Sequence, residues 1–261
     1  MEHSPDELLH APKEMSPVTV RFLGSGDAFG SGGRFQACIH VRSQDSSVLL
    51  DCGASSLIAM RRFGVEPNAI DAILVSHLHG DHFGGIPFFI LDAQFLSKRE
   101  RPLLIAGPPG IETRVRQAQE ALFPGSSQTE QQYEIRFLEW QDRQQAAIGG
   151  IAATPFEVVH ASGAPPFALR LEVDGKTIAY SGDTEWTDAL IGAAQGADLF
   201  ICEANFYDRG VKFHLDYETL MSHRDELHCK RLVLTHMNME MLARLPSLDV
   251  EAAEDGKEIV L

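Results

Sequence analysis

The chain has 261 residues, 44% hydrophobic and 23% charged, and its 22 Lys/Arg against 37 Asp/Glu give a net charge of −15. That length suits one large globular domain. No apolar run approaches the roughly 20 residues that span a bilayer, and the acidic balance disfavours non-specific attachment to a nucleic-acid backbone.

The opening "MEHSPDELLHAPKEMSP" is acidic and lacks the basic-then-apolar order of a secretory signal. Residues 1–16 therefore read as an N-terminal leader, with a single domain over 17–261. "VTVRFLG" (18–24), "ACIHV" (37–41) and "SVLLDCG" (47–53) predict three strands joined by Gly/Ser-rich turns. "ASSLIAMRRFG" (54–64) has helical spacing and ends at Gly64 as a C-cap. "DAILVS" (71–76) is a continuous apolar run, as in a strand buried on both faces. A helix is expected over 84–97, a strand over 102–107 and a helix over 110–123. Further strands are expected at 133–140, 151–160, 167–173, 176–183, 197–204 and 231–236, with helices near 185–194, 216–228 and 238–245. "VDGKT" between two alternating runs predicts a hairpin. Strands interleaved with helices in both halves imply α/β layering with sheet on sheet inside. Four cysteines (Cys38, Cys52, Cys202, Cys229) without C-x-x-C spacing argue against a disulfide framework and for a reducing, cytoplasmic setting. The run "IPFFILDAQFL" is more apolar than one amphipathic face needs, so residues 86–96 suggest a homodimer contact.

The chemistry is concentrated in "SHLHGDH" (76–82), directly after a predicted buried strand. His77 and His79, two apart on an extended segment, turn both rings to one side of the chain. Asp81 and His82 follow in the loop and can face a second ion. Neutral imidazole suits zinc or iron, and a carboxylate adds a hard oxygen ligand. A solvated, histidine-rich loop is the competing reading, and chance assembly of four such ligands in six residues disfavours it. Other predicted strands also end in a metal-competent residue: His160 after "FEVV", Asp183 in "YSGDT" and His236 in "LVLTH". Neighbouring strand ends lie close together, so these groups converge on one edge of the sheets.

This order resembles the metallo-β-lactamase superfamily, and the resemblance covers residues 17–240, from "LGSGDAFGSGG" through "LLDCG", "SHLHGDHFGG" and "YSGDT" to "LTH". It implies a four-layer αββα sandwich with a dinuclear metal site at one edge. By resemblance His77, His79 and His160 bind one divalent ion, and Asp81, His82 and His236 the other. Asp183 bridges the two, and a hydroxide held between them attacks the substrate. Zinc is the first expectation for both ions, with manganese and iron also compatible. An aspartate at 183, where lactamases of this fold commonly carry cysteine, points to phosphodiester or thioester hydrolysis. "LGSGDAFGSGG" is superficially like a dinucleotide-binding loop, but Phe29 stands where a third glycine belongs and a strand follows. Its glycines read instead as a tight turn beside the site. Asp51 fits two roles equally, orienting a ligand histidine or capping the helix at 54–63.

The C-terminal third resembles the tRNA 3′-processing endonucleases (ribonuclease Z) and the related cyclic-nucleotide phosphodiesterases, on "CEANF" (202–206) and on His214 in "KFHLDYETL". The resemblance gives His214 proton donation to the departing oxygen and Glu203 the task of orienting it, so Asp81, Glu203 and His214 are the candidate catalytic residues. Those tRNA enzymes often insert a long arm between the equivalents of His160 and Asp183, where this chain has only 22 residues. No arm fits, which implies a small phosphodiester, including cyclic ones, rather than extended nucleic acid. The competing readings are a thioesterase or glyoxalase-like hydrolase, which has no need of Glu203 with His214, and a non-catalytic metal-bearing accessory protein.

Overall fold

Alternating apolar residues build the first sheet from an antiparallel meander of β1 (Thr19–Gly24), β2 (Cys38–Arg42) and β3 (Ser47–Leu50), in register Val20↔Val41↔Val48. The protein is described here by a computed structural model covering residues 17–261, so the leader expected over 1–16 lies outside the described residues. After β3 the pairing turns parallel through β4 (Ala72–Leu74), β5 (Leu103–Gly107) and β6 (Ile135–Glu139). Parallel neighbours need crossovers, supplied by α1 (Ser56–Arg62), then α2 (Gly80–Phe83) with α3 (Ile86–Leu91), then α4 (Ile111–Leu122). A short β13 (Glu258–Val260) pairs antiparallel with β1 and completes the order β13-β1-β2-β3-β4-β5-β6.

The second sheet has the order β12-β11-β10-β9-β8-β7. Its antiparallel part is β7 (Ala146–Ile148), β8 (Ile151–Glu157), β9 (Phe167–Val173) and β10 (Lys176–Tyr180). The β9–β10 hairpin turns at Asp174 and Gly175, with φ of 46° and 71°, the two positive values a tight two-residue hairpin needs. The parallel part is β10, β11 (Leu199–Glu203) and β12 (Leu232–Thr235). Helices α5 (Ala189–Ala194) and α6 (Tyr217–Ser222) make its crossovers, and α7 (Met239–Arg244) follows β12.

Three apolar layers hold this together. Val20, Phe22, Leu50 and Leu74 meet Leu169, Leu171, Ile201 and Val233 between the sheets. Leu49 and Ile73 pack against Met60, Phe89 and Ile111 on one outside, and Phe200 against Leu190, Leu220 and Met241 on the other. The architecture is the expected αββα sandwich. Leu74 and Ile73 serve different layers, which is why their strand is apolar without alternation.

Several boundaries differ from the sequence reading. The helix expected over 84–97 is α3 followed by a π-helical turn, Asp92–Leu96. That wider turn accompanies inward placement of two polar residues. Asp92 pairs with Arg61, while Gln94 bonds Glu130 O at 3.0 Å and the Gln132 amide at 2.9 Å. Ile86, Phe89, Ile90 and Ala93 enter the core, which absorbs much of that segment's apolar excess and leaves Phe88, Phe95 and Leu96 exposed. The helix expected over 216–228 stops at Ser222, and β7 and β13 had no counterpart in the sequence reading. The strands expected over 71–76, 151–160 and 176–183 pair only as far as Leu74, Glu157 and Tyr180. The unpaired remainders carry or lead directly to His77, His160 and Asp183.

Candidate metal centre

All these trimmed ends lie at one edge of the sandwich. Beyond β4 the chain bends at Ser76, Leu78 and His79 and then enters the four-residue α2 that carries Asp81 and His82. The loop after β3 clamps this turn from behind. Cys52 N donates to His82 O at 2.6 Å and Gly85 N to Cys52 O at 2.8 Å. Gly53 packs so closely under α2 that a Cβ there would collide with the Asp81 carbonyl. His160 comes three residues after β8 and Asp183 three after β10, while His236 directly follows β12 with a left-handed φ of 57°.

Seven side chains from four segments meet there in two sets. Ligand atoms of His77, His79 and His160 lie within 4.8 Å of one another, as do those of Asp81, His82, Asp183 and His236. Asp183 touches both sets: Oδ2 is 3.8 Å from His77 Nε2 and 3.4 Å from His236 Nε2, and Oδ1 is 3.3 Å from His82 Nε2. Asp81 Oδ2 is 3.3 Å from both His82 Nε2 and His236 Nε2. Apart from half-buried His79, all are buried.

The outer nitrogens of three of these rings are fixed by acceptors. His82 Nδ1 donates to Asp51 Oδ2 at 2.6 Å, and His160 Nδ1 to the Phe213 carbonyl at 2.7 Å. Ser76 Oγ gives its proton to Asp51 at 2.8 Å and so accepts from His77 Nδ1 at 3.1 Å. Each ring then presents a bare Nε2 lone pair to the centre, as a metal ligand must. His160 Nε2 and His79 Nδ1 are only 3.0 Å apart. Among the described residues, buried His77 Nε2 and Asp183 Oδ1 have no hydrogen-bond partner. Bare nitrogens crowded together and an orphaned carboxylate oxygen are costly unless a cation lies among them. The donor set therefore fits divalent metal, five imidazoles and two carboxylates being ligands zinc accepts.

The charges agree with that reading. Burial pushes His77 and His160 below the ordinary imidazole range, which keeps them neutral. Burial also opposes charge on His82 and His236, but the carboxylates around them overcome it. His82 is held well above its usual range by Asp183, Asp51 and Asp81, and His236 is pushed up to about 9, chiefly by Asp183 and Asp81. Burial alone would raise Asp81 and Asp183, yet the adjoining His82 and His236 hold both carboxyls well below theirs. The acidic half of the cluster thus attracts positive charge, which a divalent ion supplies more fully than two protons.

Glu203 and His214 are also brought together. Glu203, at the end of β11, is fully buried and accepts from Thr184 N through Oε1 and from His214 Nδ1 through Oε2 at 3.1 Å. Burial and Asp183 raise its carboxyl. Burial opposes charge on His214, but its bond to Glu203 and the charges of Glu203 and Asp183 outweigh that and raise its imidazole. His214 is partly exposed and its Nδ1 lies 4.0 Å from Asp183 Oδ2, so it stands at the rim of the cluster. Asp51 makes no capping bond to α1; it binds His82, Ser76 and the Tyr180 hydroxyl. The sequence reading did not single out Tyr180, Ser76, Asn205 or the Phe213 carbonyl. Asn205, in the quoted "CEANF", is the one that its position beside Glu203 could have flagged.

The metallo-β-lactamase-fold protein YhfI from Bacillus subtilis superposes with a TM-score of 0.73 at 23% identity, covering 94% of this chain and 100% of that one. Human tRNase Z, short form, superposes at 0.74 with 24% identity, covering 92% and 98%. The fold is the metallo-β-lactamase fold. The family model described as anti-Pycsar protein Apyc1 matches residues 18–249. The chain belongs to that family. A curated relative called ribonuclease Z, from Lachnospira eligens, is 32% identical over 304 aligned positions, which span 94% of this chain and 98% of the relative. The resemblance read from "SHLHGDH" and "CEANF" agrees with these matches. Among the described residues no helix is long and apolar enough to cross a membrane.

Proposed function

We propose that this protein is a metal-dependent phosphodiesterase acting on a small phosphodiester, cyclic ones included. The observation that carries the reading is the convergence of seven ligand side chains around the orphaned His77 Nε2 and Asp183 Oδ1, with the Glu203–His214 pair at their rim. His77, His79 and His160 would hold one ion and Asp81, His82 and His236 a second, with Asp183 shared between them. Divalent ions, when bound there, supply an acidified water and offset charge developing on phosphorus.

The chain's own residues do the rest. Asp51, the Phe213 carbonyl and Ser76 hold His82, His160 and His77 in the tautomers that turn Nε2 inward. His214, held through Nδ1 by Glu203, keeps Nε2 free to give a proton to the departing oxygen. A thioester needs no such donor, because its leaving thiolate is stable near neutral pH.

The relatives' name points to RNA as substrate. Supporting the smaller substrate are the net charge of −15 and the plain β9–β10 hairpin that fills the segment between His160 and Asp183, where an RNA-gripping arm would be expected by resemblance. The test is hydrolysis of bis(p-nitrophenyl) phosphate by protein reconstituted with zinc or with manganese, with Asp81→Asn as the blank. Metal-dependent turnover absent from the blank supports the reading. Processing of a tRNA precursor faster than any cyclic nucleotide would overturn the small-substrate part of it.

A further inference from the structure

We propose that the cavity at the opposite end of the first sheet from the metal centre is a second binding site, which takes a small phosphate-bearing anion between Arg21 and Arg42. Its volume is about 500 Å³, within the span of small-molecule sites, and the reaction proposed above does not need it. Strands β3 and β4 begin at this cavity and end at the metal centre. At the first end Ser47 N donates to Asp71 Oδ2 at 2.9 Å, and at the other Ser76 N donates to Asp51 Oδ1 at 2.7 Å. A ligand in the cavity is therefore separated from Asp51 by the length of β3, about 10 Å.

The register brings the two arginines together. Thr19, Arg42 and Ser47 form one row across β1, β2 and β3, and Arg21, His40 and Leu49 the next. Arg21 and Arg42 are thus diagonal neighbours on one face, near enough for long side chains to share a ligand. Among the described residues neither forms an ion pair. Arg21 Nη1 donates to Phe63 O at 3.0 Å and the guanidinium carbon lies 5.5 Å from the Phe63 ring centroid. Those contacts hold the group in place, yet its buried Nε has no hydrogen-bond partner, an unmet demand that an anion satisfies. The carboxylates at this cavity do not cancel the charge. Asp71 is paired with Arg101. Asp45, Glu66 and Glu258 are exposed, where water and salt screen them. Glu258 stands opposite Arg21 in the β1–β13 register but makes no ion pair with it. Buried His40, bonded through Nε2 to Ser47 Oγ at 2.8 Å, senses the result: burial first, then the charges of Arg42 and Arg21, pull its imidazole down. A guanidinium fork matches two oxygens of one phosphate. Two such forks, with the Ser43 hydroxyl also lining the cavity, suit a tetrahedral dianion better than a single carboxylate.

The experiment is calorimetric titration of inorganic phosphate into zinc-loaded protein, in wild type, Arg42→Gln, Arg42→Lys and Arg21→Gln. Phosphate held at the metal centre is common to all four, so the difference between them isolates the second site. Arg42→Gln should weaken the second site about tenfold or more, the loss of a charge-assisted hydrogen bond, with zinc content and phosphate-free cleavage of bis(p-nitrophenyl) phosphate unchanged. Arg42→Lys should fall between, keeping the charge without the fork. Arg21→Gln should weaken the site likewise; because it also loses the Phe63 bond, the exposed Arg42 is the cleaner probe. Identical titrations of wild type and Arg42→Gln would overturn the site. Arg42-dependent binding by a protein that cleaves no phosphodiester would uphold the site and defeat only the activity.

Discussion

Asp51 and His82 are joined by a 2.6 Å hydrogen bond between two side chains that have no solvent exposure. Asp51 sits in the left-handed region, with φ of 59°, which costs on the order of 1–3 kcal/mol and persists only where the surroundings fix it. Here four donors fix it: His82 Nδ1, Ser76 N, Ser76 Oγ and the Tyr180 hydroxyl. Asp51→Asn keeps the shape but turns one acceptor into a donor facing donors. Metal affinity should fall by about 10–100-fold while the far-ultraviolet circular dichroism is retained. Chelator-competition titration reads this, and unchanged affinity would show that Asp51 does not orient a ligand.

Gly53 makes a second, purely steric, prediction. A methyl group there meets the Asp81 carbonyl and the Gln36 side chain, so Gly53→Ala must push α2 away from the loop after β3. The expected cost is about 1–3 kcal/mol of stability from overpacking, with weaker metal binding because Asp81 and His82 travel with the helix. Urea unfolding together with the same titration would detect both effects.

His214 and the ligand histidines should part ways under mutation. His214→Ala should keep the bound metal and lower kcat by about 10²–10⁴-fold. Glu203→Gln, which still accepts from His214 through its carbonyl oxygen, should lower it less. Loss of metal from His214→Ala would instead make His214 a ligand, which its closeness to His160 and Asp183 allows geometrically.

Stability should fall in mild acid through His40, far along the chain from the ligands. Burial, reinforced by Arg42 and Arg21, pulls its imidazole from 6.5 down to about 4. The unfolded chain then takes up a proton between those values and the folded chain does not, so the neutral form's stabilisation is intact above pH 6.5 and drains away toward pH 4. The ceiling is about 3 kcal/mol for a shift of that size. Unfolding midpoints of wild type and His40→Asn, compared at pH 7 and pH 4.5, should differ less at the acid end.

What the sequence made legible depended on range. "SHLHGDH" announces four metal-competent side chains because they fall within six residues, and the strand-end residues His160, Asp183 and His236 announce themselves by following apolar runs. Tyr180 did not, since it sits inside such a run and its partner Asp51 is 129 residues away. The Phe213 carbonyl that orients His160 is a backbone atom with no residue signature at all. β13 is three residues long, too short for alternation to show. The break of the 84–97 helix at Asp92 lay hidden because the partners of buried Asp92 and Gln94, the Arg61 side chain and the backbone near Gln132, come from other segments. The orphaned atoms at His77 and Asp183 could be recognised only once the segments had converged.

If these seven side chains hold metal for phosphodiester cleavage, ion content and turnover must be lost together. Ions per chain and cleavage of bis(p-nitrophenyl) phosphate are measured on the same zinc-reconstituted samples of wild type and Asp183→Ala. Wild type should hold two ions and turn over, and Asp183→Ala should lose one or both ions and nearly all turnover at unchanged circular dichroism. Two ions in wild type with no cleavage, or full cleavage in Asp183→Ala, would contradict that reading.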